Sequence, residues 1–375
     1  MKKMLSVLLA TTLAMSMLAA CGDKDTNDAA TTDNTATEQQ DNNSTSSNDT
    51  QTEVAAGEIA KIGLGTITSI GKSKDAEGDK GPVGQVDTVI VAAAFDKDGK
   101  VVSVDIDNAQ TKIEFDKALQ VTTDLTGEFK TKQELGDEYG MKKASSIGKD
   151  WYEQANALAD WMKGKTVDEI KAMKTTQRDE SHPNVPDEAD LTSSVTITVQ
   201  DYIAGIEKAY NNAVDVKAAG GQKLGVGQSI STSKSKGLEG DKTPSAQVDT
   251  TIVVGAFDKD GKVVGSIIDT AQTKVDFDKD GKLTTDKAAE FKTKNELGDE
   301  YGMKKASSIG KEWNEQAQAL ADWMAGKTVD EIKAMKTVDQ EGHPGVPDEA
   351  DLTSSVTVSA KGFIEGIEEA FTKAK

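Results

Sequence analysis

The 375-residue chain carries 64 acidic against 44 basic side chains, a formal net charge of −20, and one cysteine. That balance argues against nucleic acid as a partner, because phosphate contacts require basic patches. With Cys21 as its only thiol the chain has no internal disulfide, cysteine zinc site or iron–sulfur cluster, so any redox chemistry must arrive with a bound organic cofactor or haem, and no Cys-x-x-Cys-His haem site is present.

Lys2 and Lys3 precede an apolar run from Met4 to Met17 that closes on Leu18-Ala19-Ala20-Cys21. This reads as a secretory signal over residues 1–20, too short to span a bilayer stably. The small residues ahead of the cysteine resemble a bacterial lipoprotein processing site. The resemblance implies lipidation of Cys21 and attachment to membrane lipid on the extracytoplasmic face, within the cell wall. Residues 21–56 are mostly Asp, Asn, Thr, Ser, Gln and Glu and cannot bury enough apolar surface to offset their ordering entropy. They are expected to form a disordered tether with a typical reach of about 30–35 Å.

Beyond the tether the sequence repeats. Lys61-Ile62-Gly63-Leu64-Gly65 matches Lys223-Leu224-Gly225-Val226-Gly227, and Trp151 and Trp161 match Trp313 and Trp323, all at an offset of 162 that falls to 161 by His182 and His343. The period suits two whole domains and is too long for a solenoid. The expected boundaries are 57–211 for the first domain, 212–221 for a linker marked by Ala218-Ala219-Gly220-Gly221, and 222–375 for the second.

Within a copy, Val86 to Phe95 and Val101 to Ile106 flank Asp96-Lys97-Asp98-Gly99-Lys100, a hairpin pattern. The aspartates lack the further acids of an EF-hand, so the run reads as a turn. Asp258 to Lys262 repeats it, and Asp278 to Lys282 adds a similar turn, expected in the second copy only. Trp151, Ala155, Leu158 and Trp161 keep helical spacing, and Thr166 is placed to cap a second helix from Val167 to Met173. Strands before helices predict an α+β fold, two tandem domains each built as an antiparallel sheet with packed helices. His182 and His343, the only histidines, each stand alone before proline and read as loop residues or as hydrogen-bond donors beside a ligand.

The last motif in each copy is Asp-Glu-Ala-Asp-Leu-Thr-Ser-Ser-Val-Thr, from Asp187 to Thr196 and from Asp348 to Thr357. Tyr202, Ile203, Ile206 and Tyr210 follow with helical spacing, as do Phe363, Ile364, Ile367 and Phe371. Thr198 and Ser359 are expected N-caps, which leaves Thr196 and Thr357 uncapped just ahead of a helix N-terminus, where N–H groups and the macrodipole favour an anion. A structural loop is the alternative reading.

Asp190 to Thr196 resembles the Asp-x-x-Ser/Thr-Gly/Ser-Ala/Ser-Thr signature of the FMN-binding domain family, whose final threonine carries FMN through a phosphoester. The sequence departs from that pattern at Val195 and Val356, where a smaller residue is usual, and at Ser194 and Ser355, where glycine is common. The resemblance implies two covalent FMN groups, on Thr196 and Thr357, with Asp190, Asp351, Ser193, Ser194, Ser354 and Ser355 as motif residues. The segment Glu134 to Met141, repeated from Glu296 to Met303, resembles the glycine-containing loop that such domains place beside the flavin ring, with Tyr139, Gly140, Tyr301 and Gly302 as candidate contacts. A helix end followed by a packed tyrosine is the other reading of that loop. The implied function is a cell-surface electron carrier. Its flavins would be attached by an exported flavin transferase, reduced by a membrane quinol or NADH dehydrogenase system, and reoxidised by extracellular acceptors such as ferric iron. The competing function is a non-redox solute-binding or adhesion lipoprotein.

Overall fold

In the first copy, Lys61–Ser69 (β1), Val83–Phe95 (β2) and Val101–Glu114 (β3) are followed by Lys132–Leu135 (α1), Trp151–Met162 (α2), Val167–Lys171 (α3), Thr175–Thr176 (β4), Val185–Pro186 (β5), Gln200–Asn211 (α4) and Val214–Asp215 (β6). The second copy runs Gly221–Ser231 (β7), Ser245–Asp258 (β8), Val263–Asp276 (β9), Lys294–Leu297 (α5), Trp313–Met324 (α6), Val329–Lys333 (α7), Thr337–Gln340 (β10), His343–Pro347 (β11) and Lys361–Lys373 (α8). The computed structural model describes residues 57–340 and 343–375. The expected signal segment, Cys21 and the tether lie outside them.

Each copy is an antiparallel meander covered on one face by helices, the expected α+β arrangement. The sheets run β3-β2-β1-β6 and β7-β8-β9. On β2, Val89, Val91, Ala93 and Phe95 pack beneath Leu158, Met162 and Ile206 of the helices, while Ile90, Ala92 and Ala94 turn to the opposite face. Both faces of β2 are therefore buried, which is why its sequence is almost continuously apolar.

The opposite faces of the two sheets meet each other. Ile62, Leu64, Ile90 and Ala92 share a core with Leu224, Val226, Ile252 and Val254. A further cluster joins Ile70, Val86 and Ile113 to Ala246, Val248 and Val275. β1 lies against β9, β2 against β8 and β3 against β7, a pseudo-twofold arrangement of the repeats. Phe115 and Phe277, equivalent positions, touch edge to face at 5.6 Å across it. The segment 212–221 is pinned to both copies: Val214 and Asp215 pair with β1, and Lys217 N–H donates to Val264 O.

The Gly-x-Gly motif of β1 and β7 has a steric cause. A Cβ on Gly63 would lie 1.9 Å from Ala209 O and one on Gly65 2.0 Å from Gly205 O, so α4 rests directly on the strand backbone. Gly225 and Gly227 give α8 the same seat.

Two local expectations fail. The N-caps of α4 and α8 are Val199 and Ala360, neither with a side-chain cap bond, not Thr198 and Ser359. Val199 is fully buried, and its N–H is held by Asn184 O, as that of Ala360 is by Gly345 O. These anchors set the helix start, and Thr198 Oγ1 is left buried without a partner. The Asp278–Lys282 turn is not confined to the second copy, because Asp116–Gln120 forms it as well, with Asp116 Oδ1 accepting from Gln120 N–H at 2.7 Å. Leu119, at φ 60°, occupies the left-handed position where Gly281 stands. Its burial and the bond from Leu238 N–H to Leu119 O hold it there. Thr166, by contrast, caps α3 as expected, in a capping box with Glu169.

Candidate functional site

The repeated motif folds as a tight turn that its own spacing dictates. Leu191 and Val195 are buried, and Leu191 O accepts from both Ser194 N–H and Val195 N–H at 2.8 Å. Val195 and Val356 thus fill core positions, which accounts for a residue larger than alanine there. Between these anchors Ser194 and Thr196 are half-buried, while Asp190, Thr192 and Ser193 face solvent; Ser355, Thr357, Asp351 and Ser354 repeat the pattern.

Thr196 is held by α2. Gln154, fully buried, accepts from Thr196 N–H at 2.8 Å and from Thr196 Oγ1 at 3.2 Å through its Oε1. Its Nε2 donates to Ser145 Oγ and to Lys149 O. Lys149 Nζ reaches Ser194 Oγ at 3.4 Å. The second copy reproduces every contact: Gln316 Oε1 takes Thr357 N–H and Oγ1 at 2.8 and 3.2 Å, and Lys311 Nζ lies 3.4 Å from Ser355 Oγ. Each cluster combines a threonine hydroxyl whose proton is directed into the protein, a serine hydroxyl and an ammonium.

The copies differ at one cation. Arg178, the only arginine in the chain, donates to Thr196 O at 3.0 Å. It also bonds Asp179, whose other oxygen meets His182 Nδ1 at 2.7 Å. The His182 ring and the Arg178 guanidinium together hold the Asp179 carboxyl down at about 2, well below the usual range. Asp339 and Gln340 stand at the equivalent place in the second copy. His343 is exposed on β11.

The glycine loop leads into the same clusters. Gly140 and Gly302 take φ of 75° and 77°, closing short 3₁₀ turns that end in Tyr139 and Tyr301. Both tyrosines are half-buried against the helix-side cores, with Lys132 Nζ 4.8 Å from the Tyr139 ring and Lys294 Nζ 5.0 Å from that of Tyr301. Ser145 N–H donates to Met141 O, which ties the loop to the serine that Gln154 holds.

Sequence reasoning singled out the threonines, serines and acids of the motif and missed Ser145, Lys149, Gln154 and Arg178. Gln154 carried a usable signal: it interrupts an apolar stripe with Trp151, Ala155 and Leu158, and does so again as Gln316.

What the fold and these clusters define is a duplicated α+β chain that presents, once per copy, a glutamine-held threonine hydroxyl and a serine hydroxyl met by a lysine ammonium on one surface loop. A chlorophenol reductase from Desulfitobacterium hafniense is 30% identical over 166 residues, covering 34% of this chain and 51% of that protein. The chain therefore spans about half the length of the curated relative it matches. No family profile matches the chain, and no solved structure does.

Proposed function

We propose that the chain is a cell-surface flavin electron carrier, tethered to the membrane through a lipid on Cys21, with FMN held by phosphoester bonds to Thr196 and Thr357. The observation that carries this reading is the cluster itself. The Gln154 carbonyl accepts a hydrogen bond from the Thr196 hydroxyl, so the Thr196 oxygen is oriented by a buried amide, and the Lys149 ammonium stands over the nearby Ser194, where a phosphate would need a counter-charge. These residues fit a phosphate ester, and the same set recurs at Thr357. The similarity to a reductase supports a redox role.

In this reading the bound flavin supplies the redox chemistry. Gln154 and Gln316 fix the threonines, Lys149 and Lys311 offset phosphate charge, and Ser194 and Ser355 present hydroxyls beside it. Arg178 adds a second cation at the first site alone. Tyr139 and Tyr301, on loops bonded to the same clusters, are the ring contacts. Asp190 and Asp351, exposed and unencumbered, are the part an exported flavin transferase reads. A membrane quinol or NADH dehydrogenase system is the donor, and extracellular acceptors such as ferric iron receive the electrons.

The test is intact mass spectrometry, after denaturation, of protein made alongside an exported flavin transferase. Two FMN groups are expected, with Thr196→Val and Thr357→Val each removing one. Asp190→Asn is expected to impair loading of the first site while leaving the melt unchanged. Absence of covalent flavin despite an active transferase would overturn the proposal.

A further inference from the structure

A cleft of about 440 Å³ opens between the two copies, away from the threonine clusters, with Leu64, Asn212 and Val214 of the first copy facing Asp269, Asn295 and Asn314 of the second. Its pseudo-twofold mate, around Asp107, Gln133 and Gln228, holds only about 230 Å³. The 162-residue offset relates Asp269 to Asp107, Asn295 to Gln133 and Thr66 to Gln228, and the 161-residue offset relates Asn212 to Lys373.

The mate shows what the aspartate takes when its surroundings are complete. Gln228 Nε2 crosses from the other copy to donate to Asp107 Oδ2 at 2.8 Å. Lys373 Nζ sits 3.2 Å from Glu134, and Gln133 Nε2 reaches Asn156 Oδ1 at 3.2 Å. In the larger cleft each of those long side chains is replaced by a short one. Thr66 cannot reach Asp269, Asn212 extends no ammonium, and Asn295 Nδ2 goes no farther than Ile268 O, at 2.9 Å. Asp269 is 5% exposed and accepts from the Thr293 side chain, Thr270 N–H and Asn295 N–H, all of its own copy, with no donor from the other. Asn314, where the first copy has Tyr152, has a buried Oδ1 without any partner. Glu296 is already answered by Lys208 at 2.6 Å, so what the cleft leaves is an Asp269 lacking its cross-copy donor and an Asn314 oxygen lacking any.

We infer that this cleft binds a small organic cation, an ammonium or amidinium on a short apolar stem, whose N–H groups take the place of the missing Gln and Lys donors. Asp269 accepts from the charged end, with the Asn314 side chain beside it. Leu64, Ile267 and Ala317 receive the stem. The lining contains Asp269, Glu315 and the Lys208-paired Glu296 and no basic side chain, which disfavours an anion in the same space.

The full chain titrated calorimetrically with 1,5-diaminopentane tests this, with pentanol and pentanoate as neutral and anionic controls. Saturable binding of one diamine per chain is expected, about tenfold or more tighter than either control, as loss of a charge-assisted hydrogen bond implies. Asp269→Asn is expected to weaken the diamine about tenfold or more. Asn212→Lys, at an exposed helix end, supplies a tethered ammonium and is expected to do the same with no change in the melt. Diffuse attraction to the acidic surface would survive both Asp269→Asn and Asn212→Lys, and that result, or no saturable binding at millimolar diamine, overturns the inference.

Discussion

Gln154 concentrates several bonds in one buried amide: its oxygen takes the backbone and hydroxyl of Thr196, and its nitrogen serves Ser145 and Lys149. Gln154→Leu keeps the volume and strips every bond, leaving a half-buried N–H unpaired. A loss of about 2–4 kcal/mol in denaturant unfolding is expected, with Gln316→Leu giving a matching loss as an internal check. The two interfacial aspartates report through pH. Burial pushes the Asp269 carboxyl from 3.8 up to about 6, against the bonds it accepts from Thr293 and from the Asn295 and Thr270 backbone. A raised folded value means this group's stabilisation is full below about pH 4 and is lost as pH rises through about 6, on the order of 3 kcal/mol in all. Asp269→Asn preserves the acceptor that Thr270 and Asn295 use and should flatten the stability profile between pH 4 and 7, read from urea midpoints. Asp179 works in the other sense: its stabilisation is present above 3.8 and lost as pH falls through about 2. The burial of Asp107 and Asp269 was not visible in the sequence, because it depends on the other copy packing over them.

At the scale of elements, the readable features were those written in adjacent residues. The capping box at Thr166, the hairpin around Asp96 and the tryptophan helix all rest on local spacing. The features that escaped depend on distant partners. Thr198 looked like a cap until Asn184 O, on another segment, took the Val199 N–H and moved the helix start by one residue. Leu119 hides a left-handed turn that glycine advertises in the second copy. The paired glycines of β1 and β7 were recognised as a repeat, but their role needed the helix above them. Gly227→Ala would place a methyl carbon 1.9 Å from Gly366 O, backbone against backbone, so α8 must lift off β7. The expected cost is about 3 kcal/mol, measured as a fall in thermal midpoint. Gly240→Ala, also in the second copy but at a solvent-facing turn, meets nothing within 4 Å; its cost is limited to the strain of a φ of 60°.

Across the whole molecule, the repeats were legible from the offset of 162, but their association was not, since the residues that join them alternate with those that meet the helices. The shared cores predict one cooperative melt for the full chain. They also predict that the separated fragments 57–211 and 222–375, which lay bare the faces of Ile62, Ile90, Ile252 and Val254, associate with each other in sedimentation experiments. In the second shared cluster Gly84 faces Ala246, its equivalent, and a Cβ added to Gly84 would fall 2.5 Å from the alanine methyl. There is room on the axis for one methyl and not for two. A 57–211 fragment pairing with its own kind would set glycine against glycine, whereas two 222–375 fragments would set alanine against alanine and collide, so the first should self-associate more strongly than the second. Ala246 is thus a mark of the tandem arrangement: its methyl is tolerated because the facing half keeps glycine, and a symmetric pair of identical subunits would be denied it.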